Sequence, residues 1–151
     1  MIKVLFICHG NICRSAMAEF VLKKMVADLG KTEDFYICSA ATSCEEIGNP
    51  IHSGTVKMLR KYNIPFSDHR AVQIIRDDYN RYDYILTMDR WNTVNALRIF
   101  GGDPKDKVHG LLDYTTEGRD IADPWYSGDF EATYKDIKAG CEGFLRFLKE
   151  M

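Results

Sequence analysis

The chain begins with a short apolar run that changes abruptly into helical periodicity. Ile2–Ile7 consists of five apolar residues and one lysine, which is typical of a strand buried on both faces of a sheet. Gly10 and Asn11 interrupt this pattern, and between Ser15 and Gly30 apolar residues recur every three or four positions. This order predicts a strand, a tight loop and an amphipathic helix, which together form the first unit of an α/β fold.

The rest of the chain repeats the alternation. Further strands are predicted at Phe35–Cys38, Tyr84–Met88 and Val108–Leu112, and further helices at Thr55–Tyr62, Asn92–Phe100 and Phe130–Leu148. Right-handed crossovers between parallel strands place helices on both faces of a sheet, so the pattern predicts a three-layer αβα fold with a mainly parallel sheet. With 151 residues and no internal repeat or linker, the chain is expected to form one domain over residues 1–151.

Composition excludes several classes of partner. The 20 basic and 22 acidic residues give a net charge of -2, so no positive field is available to hold nucleic acid. No apolar stretch approaches the roughly 18 residues of a membrane span, and the first residues do not resemble a signal peptide. An odd count of five cysteines disfavours a disulfide scaffold and favours reduced thiols in the cytoplasm. No metal site is expected, because Cys8 and Cys13 are followed by no second ligand pair at zinc-finger spacing.

The loop Cys8–Ser15 joins the first predicted strand to the first predicted helix. A short loop that enters a helix N-terminus points successive N–H groups inward, and such a nest binds an oxyanion without net positive charge on the protein. Gly10 and Asn11 tolerate the positive φ angles that a tight nest needs. Ligands of parallel α/β sheets bind beyond the carboxyl ends of the strands, so Cys8 is expected to lie beside the bound anion.

Three side chains of this loop can carry chemistry. The inward N–H groups favour the thiolate of Cys8, Arg14 can clamp two anion oxygens, and Ser15 can donate to the thiolate or cap the helix. Singly, such a cysteine is usually a small buried hydrophobe, and such an arginine is usually solvated. Together, with five residues between Cys8 and Arg14, they predict a nucleophile beneath a bound phosphoryl group.

Cys8–Ser15 and the apolar run before it resemble the signature of the low-molecular-weight protein tyrosine phosphatases. Ile121–Tyr126 resembles the acid loop of that family, an aspartate and a proline followed by aromatic residues. Other stretches that fit the family in order are Ser39–Ser43, Gly48–Pro50, Tyr82–Ile85 and Met88-Asp89. The resemblance extends over essentially the whole chain. It implies a four-stranded parallel sheet with flanking helices, the phosphotyrosine protein phosphatase I-like fold.

The same resemblance implies a metal-free and cofactor-free phosphomonoesterase with a cysteinyl-phosphate intermediate. Cys8 would be the nucleophile, Arg14 the phosphate clamp and Asp123 the general acid and base, although an aspartate before proline is more often a turn or helix cap. Phosphotyrosine proteins and aryl phosphates are the expected substrates, and phosphate and other oxyanions the expected inhibitors. The residues expected to bind phosphate are His9, Gly10, Asn11, Ile12, Cys13, Arg14 and Ser15.

Further residues are expected around this centre. By resemblance, Asn11, Ser15, Ser39 and His69 form a hydrogen-bond network that holds the loop. Trp125 and Tyr126 are expected to line the substrate cleft and to stack on a phenyl group. Where relatives often carry a second aromatic wall, this chain has Glu45, which predicts a preference against acidic residues that flank phosphotyrosine.

The remaining expectations concern cysteines and association. Cys13 is expected to lie near Cys8 and to capture its sulfenic acid as a disulfide, unless it is only a packing thiol. Cys38 and Cys141 lie in apolar patterns and are predicted to be in the core, whereas the exposure of Cys44 is open. Exposed tyrosines near the site can support a weak homodimer.

Two other reaction classes remain as alternatives. An arsenate reductase on the same fold would need further cysteines around Tyr82–Asp89, and that stretch has none. A phosphoryl-carrier subunit of sugar transport, or a phosphate-binding protein without catalysis, would not need both Arg14 and Asp123.

Overall fold

Four parallel strands form the centre of the molecule, in the spatial order Phe35–Ala41, Ile2–Cys8, Tyr84–Thr87 and Val108–Gly110. The computed structural model describes all 151 residues. The strands are β1 (Ile2–Cys8), β2 (Phe35–Ala41), β3 (Tyr84–Thr87) and β4 (Val108–Gly110). The helices are α1 (Arg14–Asp28), α2 (Ser53–Lys61), α3 (Asp78–Arg81), α4 (Arg90–Phe100), α5 (Pro124–Ser127) and α6 (Phe130–Phe147). None of these helices is both long enough and apolar enough to cross a lipid bilayer.

Side chains of β1 alternate between two separate hydrophobic clusters. Val4, Phe6 and Cys8 belong to the larger cluster, which also contains buried residues of α1, α2 and α6. Leu5 and Ile7 belong to a smaller cluster with buried residues of α3 and α4. Helices therefore cover both faces of the sheet, which confirms the predicted three-layer α/β fold.

Several element boundaries differ from the prediction. β2 runs three residues further than predicted, to Ala41, because its last residues pair with Ile7 and Cys8 of β1. β4 ends earlier, at Gly110, because Leu111–Tyr114 turns into a short 3₁₀ helix and Asp113 Oδ2 accepts from the Gly110 N–H at 3.0 Å. α3 and α5 were not predicted, since four residues are too few to show a helical period.

The structure separates the cysteines that the sequence placed in the core. Cys141 of α6 is fully buried, as predicted. Cys38 is only partly buried and packs against the edge of the smaller cluster, so the prediction for it is confirmed only in part. Cys38 lies on β2, an edge strand that has a neighbour on one side only. Cys44 is exposed, and all five cysteines are free thiols.

α6 packs against the Leu111–Tyr114 segment through two glycines. A Cβ added at Gly140 would lie 2.5 Å from Leu111 Cγ, and one added at Gly143 would lie 2.1 Å from the backbone oxygen of Tyr114. A Cβ atom normally lies no closer than about 3.4 Å to such an atom. Both positions therefore require glycine as long as α6 and the Leu111–Tyr114 segment remain this close.

We expect Gly143→Ala to lower the free energy of unfolding by about 2 kcal/mol or more, because the clash with backbone outweighs the roughly 1 kcal/mol that alanine gains in helix propensity. The reverse change on the exposed face of the same helix, Ala139→Gly, is the matched control and should cost only about 0.5–1 kcal/mol. Urea denaturation followed by circular dichroism measures both. A Gly143→Ala protein as stable as the wild type would contradict the close packing.

Candidate active site

The loop after β1 wraps around the sulfur of Cys8. Cys8 Sγ lies 3.0 Å from Ser15 Oγ, and the backbone N–H groups of Asn11 and Ser15 donate to it at 3.3 and 3.4 Å. The residue is only 3% exposed, so water competes little for these contacts. Hydrogen bonds of this kind stabilise a thiolate more than a thiol, and the site is therefore suited to a sulfur nucleophile.

The backbone of the loop differs in one detail from the expectation. Asn11 adopts a left-handed conformation with φ of 61°, as predicted, but Gly10 has no positive φ. A Cβ at Gly10 would lie 3.3 Å from Glu46 Cγ, a tight contact that a small shift of the Glu46 side chain relieves. The Asn11 N–H points toward Cys8 Sγ, and its left-handed backbone turns the chain that follows.

Asn11 fixes the loop from inside the protein. It is fully buried, and its Nδ2 donates to Ser15 Oγ at 2.8 Å and to Ser39 Oγ at 3.0 Å. Its Oδ1 accepts from the Val72 N–H at 3.2 Å. His69 Nε2 donates to the Asn11 carbonyl oxygen at 3.0 Å. The structure thus brings together the four residues of the expected network.

Glu19 extends this network and was not identified from the sequence. It is 7% exposed, and its Oε1 accepts from Ser39 Oγ at 2.6 Å while Lys23 Nζ pairs with its Oε2 at 2.6 Å. The signal in the sequence is its position on α1. Glu19 shares the stripe of Ser15 and Leu22, which faces the core, so its carboxylate needs buried partners there.

Arg14 lies beneath the opposite wall of the site and is only 2% exposed. Its Nη1 donates to Asp89 Oδ2 at 2.8 Å and to the Ile121 carbonyl oxygen at 2.9 Å, and its Nη2 lies 3.4 Å from Asp123 Oδ2. Burial alone would lower the pKa of Arg14, but the negative charges of Cys8, Asp89 and Asp123 outweigh it and raise the pKa above its ordinary value. The guanidinium is therefore a fixed positive charge.

Asp89 is a second residue that sequence reasoning did not assign to the site. It follows β3, and its Oδ1 accepts from the Asn92 N–H at 2.8 Å to cap α4, while its Oδ2 orients Arg14. The sequence marks Asp89 as a helix cap, since an acidic residue after a strand, with a polar residue three positions later, is typical of a capped helix start, but this pattern does not indicate the contact with Arg14.

Asp123 caps a helix and also faces the site. Its Oδ1 accepts from the Trp125 N–H at 3.0 Å and caps α5, and its Oδ2 faces Arg14. The side chain is 24% exposed, so the carboxylate reaches the cavity.

These groups surround a cavity of about 110 Å³ at the carboxyl end of the sheet. Eleven residues line it: Cys8, His9, Gly10, Ile12, Cys13, Arg14, Glu45, Glu46, Asp123, Trp125 and Tyr126. The lining includes the three residues predicted for the substrate cleft, Glu45, Trp125 and Tyr126. Asn11 and Ser15 do not line it, but contact Cys8 from behind. His9 lies at the rim, where its Nε2 is 2.9 Å from Glu45 Oε2.

Cys13 also lines the cavity, but its environment differs from that of Cys8. Burial, followed by the negative charges of Cys8 and Asp123, raises the pKa of Cys13 to about 12. Cys13 is therefore a neutral thiol at physiological pH. Nowhere in the chain do three or more His, Cys, Asp or Glu side chains form a group that could hold a metal ion.

A buried sulfur beneath inward N–H groups, with an arginine and a carboxylate across the cavity, defines a phosphate-binding site with a cysteine nucleophile. A family model described as low molecular weight phosphotyrosine protein phosphatase matches residues 3–151. The chain belongs to this family.

Individual relatives cover nearly the whole chain. YfkJ of Bacillus subtilis, a low molecular weight protein-tyrosine-phosphatase, is 38% identical over 152 residues that cover 99% of this chain and 97% of YfkJ. The crystal structure of YfkJ matches with a TM-score of 0.95 and covers 99% of this chain and 95% of that one. SP-PTP of Streptococcus pyogenes, a low molecular weight protein tyrosine phosphatase, matches with a TM-score of 0.87 at 41% identity, over 98% of this chain and 93% of that one.

We expect Cys13 to resist alkylation in the folded protein. At pH 8, a thiol with a pKa of about 12 is ionised roughly a thousandfold less than an ordinary cysteine, and only the thiolate reacts. The measurement is iodoacetamide labelling at pH 8, resolved by peptide mass spectrometry, with the exposed Cys44 as the internal control. Labelling of Cys13 as fast as that of Cys44 would disprove the assignment.

Proposed function

We propose that this protein hydrolyses phosphotyrosine in proteins and peptides, together with small aryl phosphates, through a cysteinyl-phosphate intermediate. The observation that carries the proposal is the convergence of the Cys8 sulfur, the Arg14 guanidinium and the Asp123 carboxylate on one cavity. Membership in the family and the names of relatives that match along nearly the whole chain support the same reaction.

Substrate binding depends on fixed donors in place of mobile side chains. The N–H groups of the loop residues that line the cavity, together with the N-terminus of α1, face the dianionic phosphate, while the N–H groups of Asn11 and Ser15 contact Cys8 Sγ. Arg14 adds a positive charge that two carboxylates hold in place. This arrangement favours the extra negative charge of the transferring phosphoryl group and requires no metal ion.

In the first chemical step, the Cys8 thiolate attacks phosphorus and forms a sulfur–phosphorus bond. The bond between phosphorus and the aryl oxygen breaks, and protonated Asp123 gives its proton to the departing oxygen, so that a phenol leaves. A dianionic phosphate beside Asp123 favours this protonated form.

In the second step, water cleaves the cysteinyl phosphate. Ionised Asp123 accepts a proton from the water, whose oxygen attacks phosphorus and displaces the Cys8 thiolate. Inorganic phosphate leaves and Asp123 is protonated again. Ser15 and the two N–H groups that contact Cys8 Sγ stabilise the thiolate as a leaving group.

The walls of the cavity suit a flat, uncharged ring. Trp125 and Tyr126 offer apolar surface for the phenyl group of phosphotyrosine. Glu45 and Glu46 add negative charge on another side, and these carboxylates disfavour acidic residues next to phosphotyrosine.

The alternatives have less support. An arsenate reductase would need further cysteines around residues 82–89, where the chain has none, and the matching relatives are named as tyrosine phosphatases. A phosphoryl carrier or a phosphate-binding protein would not need an aspartate placed to protonate a leaving group.

Three expectations about the setting of the enzyme remain proposals. A cytoplasmic location fits five free thiols, one of which must stay reduced for catalysis. Competitive inhibition by phosphate and other oxyanions follows from the ring of N–H donors. A weak homodimer is consistent with Tyr126, which is 85% exposed beside the cavity.

We expect Cys8→Ser to abolish hydrolysis and Asp123→Asn to slow it in a way that depends on the leaving group. An asparagine oxygen can still cap α5 but supplies no proton, so kcat for phenyl phosphate should fall about 10²–10⁴-fold, and that for p-nitrophenyl phosphate less. Cys44→Ser is the matched control and should retain activity. Equal losses of Asp123→Asn on both substrates would refute the general-acid role, and an active Cys8→Ser enzyme would refute the covalent scheme.

We expect a phosphotyrosyl peptide with a lysine next to phosphotyrosine to have a kcat/KM roughly two- to tenfold higher at low salt than the same peptide with a glutamate there. Charges at the rim of a site chiefly change the rate of association, and salt screens them. Glu45→Gln should reduce this difference, and added salt should do the same. Glu33→Gln removes the same charge at the opposite end of the sheet and should leave the difference unchanged. Faster turnover of peptides with acidic flanks would overturn this preference.

We also propose that Cys13 protects Cys8 from irreversible oxidation. Peroxide converts the Cys8 thiolate to sulfenic acid and is itself reduced to water, and the Cys13 sulfur then forms the disulfide with loss of a second water. Burial, the largest cause of the raised pKa of Cys13, remains after oxidation, but the contribution of the Cys8 charge is removed.

After brief exposure to peroxide, the wild type should regain most of its activity with dithiothreitol, and Cys13→Ser should regain less. Cys13→Ser that receives dithiothreitol without peroxide is the reference for its recovery and corrects for any change in basal activity. Equal recovery of the two proteins would mean that Cys13 is only a packing thiol.

A further inference from the structure

His52 lies where the phosphate loop, α2 and α6 meet. Its backbone N–H donates to the Ile12 carbonyl oxygen at 2.9 Å, which joins it to the loop around Cys8. Its Nδ1 accepts from the Gly54 N–H at 2.9 Å, so that its side chain caps α2. The neutral ring therefore carries its proton on Nε2. The main chain and the ring of this residue are thus both held in place.

Two aromatic side chains hold the other faces of the ring. Phe130, the first residue of α6, stacks on it at a centroid distance of 5.1 Å and an interplanar angle of 20°. Trp125 meets it edge to face at 5.6 Å and 78°. A Cβ at Gly54 would lie 2.5 Å from Phe130 Cζ, so this glycine gives Phe130 the space to reach the junction. Apart from Trp125, the His52 ring is therefore held by the Gly54 N–H and by Phe130, and its main chain is held by Ile12.

Trp125 lies on a short helix at the edge of the cavity. It belongs to the four-residue α5, is 59% exposed, and forms a wall of the cavity. His52 is the one aromatic ring that packs against it. His52 does not line the cavity itself, so any effect on a substrate must pass through Trp125.

We propose that His52 is a positioning residue that sets the aryl-binding wall relative to the phosphate-binding loop. Its backbone is tied to the loop at Ile12, and its ring fixes Trp125, so the distance between the bound phosphate and the ring-stacking surface is set through one residue. This inference rests on the proposed function, because it assigns His52 to recognition of the aryl group of the same substrates. Phosphate binding depends on other atoms and does not need the His52 ring.

Two substitutions separate the ring of His52 from its role as a helix cap. His52→Asn keeps an acceptor for the Gly54 N–H but removes the ring, whereas His52→Phe keeps a ring but removes the acceptor. An aromatic contact of this kind corresponds to a roughly two- to tenfold effect, so His52→Asn should raise KM for a phosphotyrosyl peptide by that factor. Its inhibition constant for inorganic phosphate should stay within about twofold of the wild-type value. His52→Phe should restore KM.

A double-mutant cycle shows whether the effect passes through Trp125. In a Trp125→Ala background, His52→Asn should cause no further rise in KM, because the wall that it orients is gone. His109→Asn, a histidine replaced outside the site, is the matched control and should leave KM unchanged. If His52→Phe raises KM while His52→Asn does not, the residue acts only as a cap and the proposal is overturned. Equal additive effects in both backgrounds would overturn it as well.

The effect of His52 on Trp125 can also be measured by fluorescence, without any substrate or turnover. Trp91→Phe leaves Trp125 as the sole tryptophan, and time-resolved fluorescence anisotropy should then show faster local motion of Trp125 in His52→Asn than in His52→Phe. Unchanged motion in His52→Asn would contradict the positioning role even if the enzyme proved to have another activity. Absence of aryl phosphate hydrolysis in the wild type, together with the expected anisotropy change, would instead refute the proposed function alone.

Discussion

The contact between Cys8 Sγ and the donors around it is the interaction on which the site depends. A sulfur that is 3% exposed can be ionised only if its charge is met by the protein, and here Ser15 and two backbone N–H groups meet it. The N–H groups of Asn11 and Ser15 both point at the sulfur, and the buried side chain of the left-handed Asn11 holds this part of the loop from behind. The thiolate therefore requires the buried polar network, because that network holds the loop in place. Within the network, the buried polar groups are hydrogen-bonded to one another.

The same principle governs the positive side of the site. A buried guanidinium is costly alone, but Arg14 is shared between Asp89 and Asp123, and both carboxylates also cap helices. Helix capping fixes the carboxylates, and the carboxylates fix Arg14. The carboxylates of Asp89 and Asp123 thus serve both the start of a helix and the position of the buried positive charge.

The sequence was sufficient to predict two groups of features. One is the strands and helices that are long enough to show a periodic pattern of apolar residues, and the other is the site residues that lie close together in the chain. The four strands and four of the six helices belong to the first group, and the Cys8–Ser15 loop belongs to the second. α3 and α5 have four residues each and leave no periodic signal. Glu19 and Asp89 were missed because their roles depend on partners 20 and 75 residues away, and such proximity appears only after folding. The burial of Cys38 was overestimated because an apolar pattern does not distinguish an edge strand from a central one.

The alternation of side chains along β1 has a consequence for how this chain can vary. Cys8 is in phase with Val4 and Phe6 and faces the larger cluster, while Leu5 and Ile7 face the smaller one. Inserting or deleting a single residue in β1 would exchange the two faces and turn the sulfur toward α4, away from its donors on α1. Length changes on this strand are therefore tolerated only in pairs. Whether Cys8 faces its donors or the opposite side of the sheet thus depends on whether the number of residues in β1 changes by an even or an odd number.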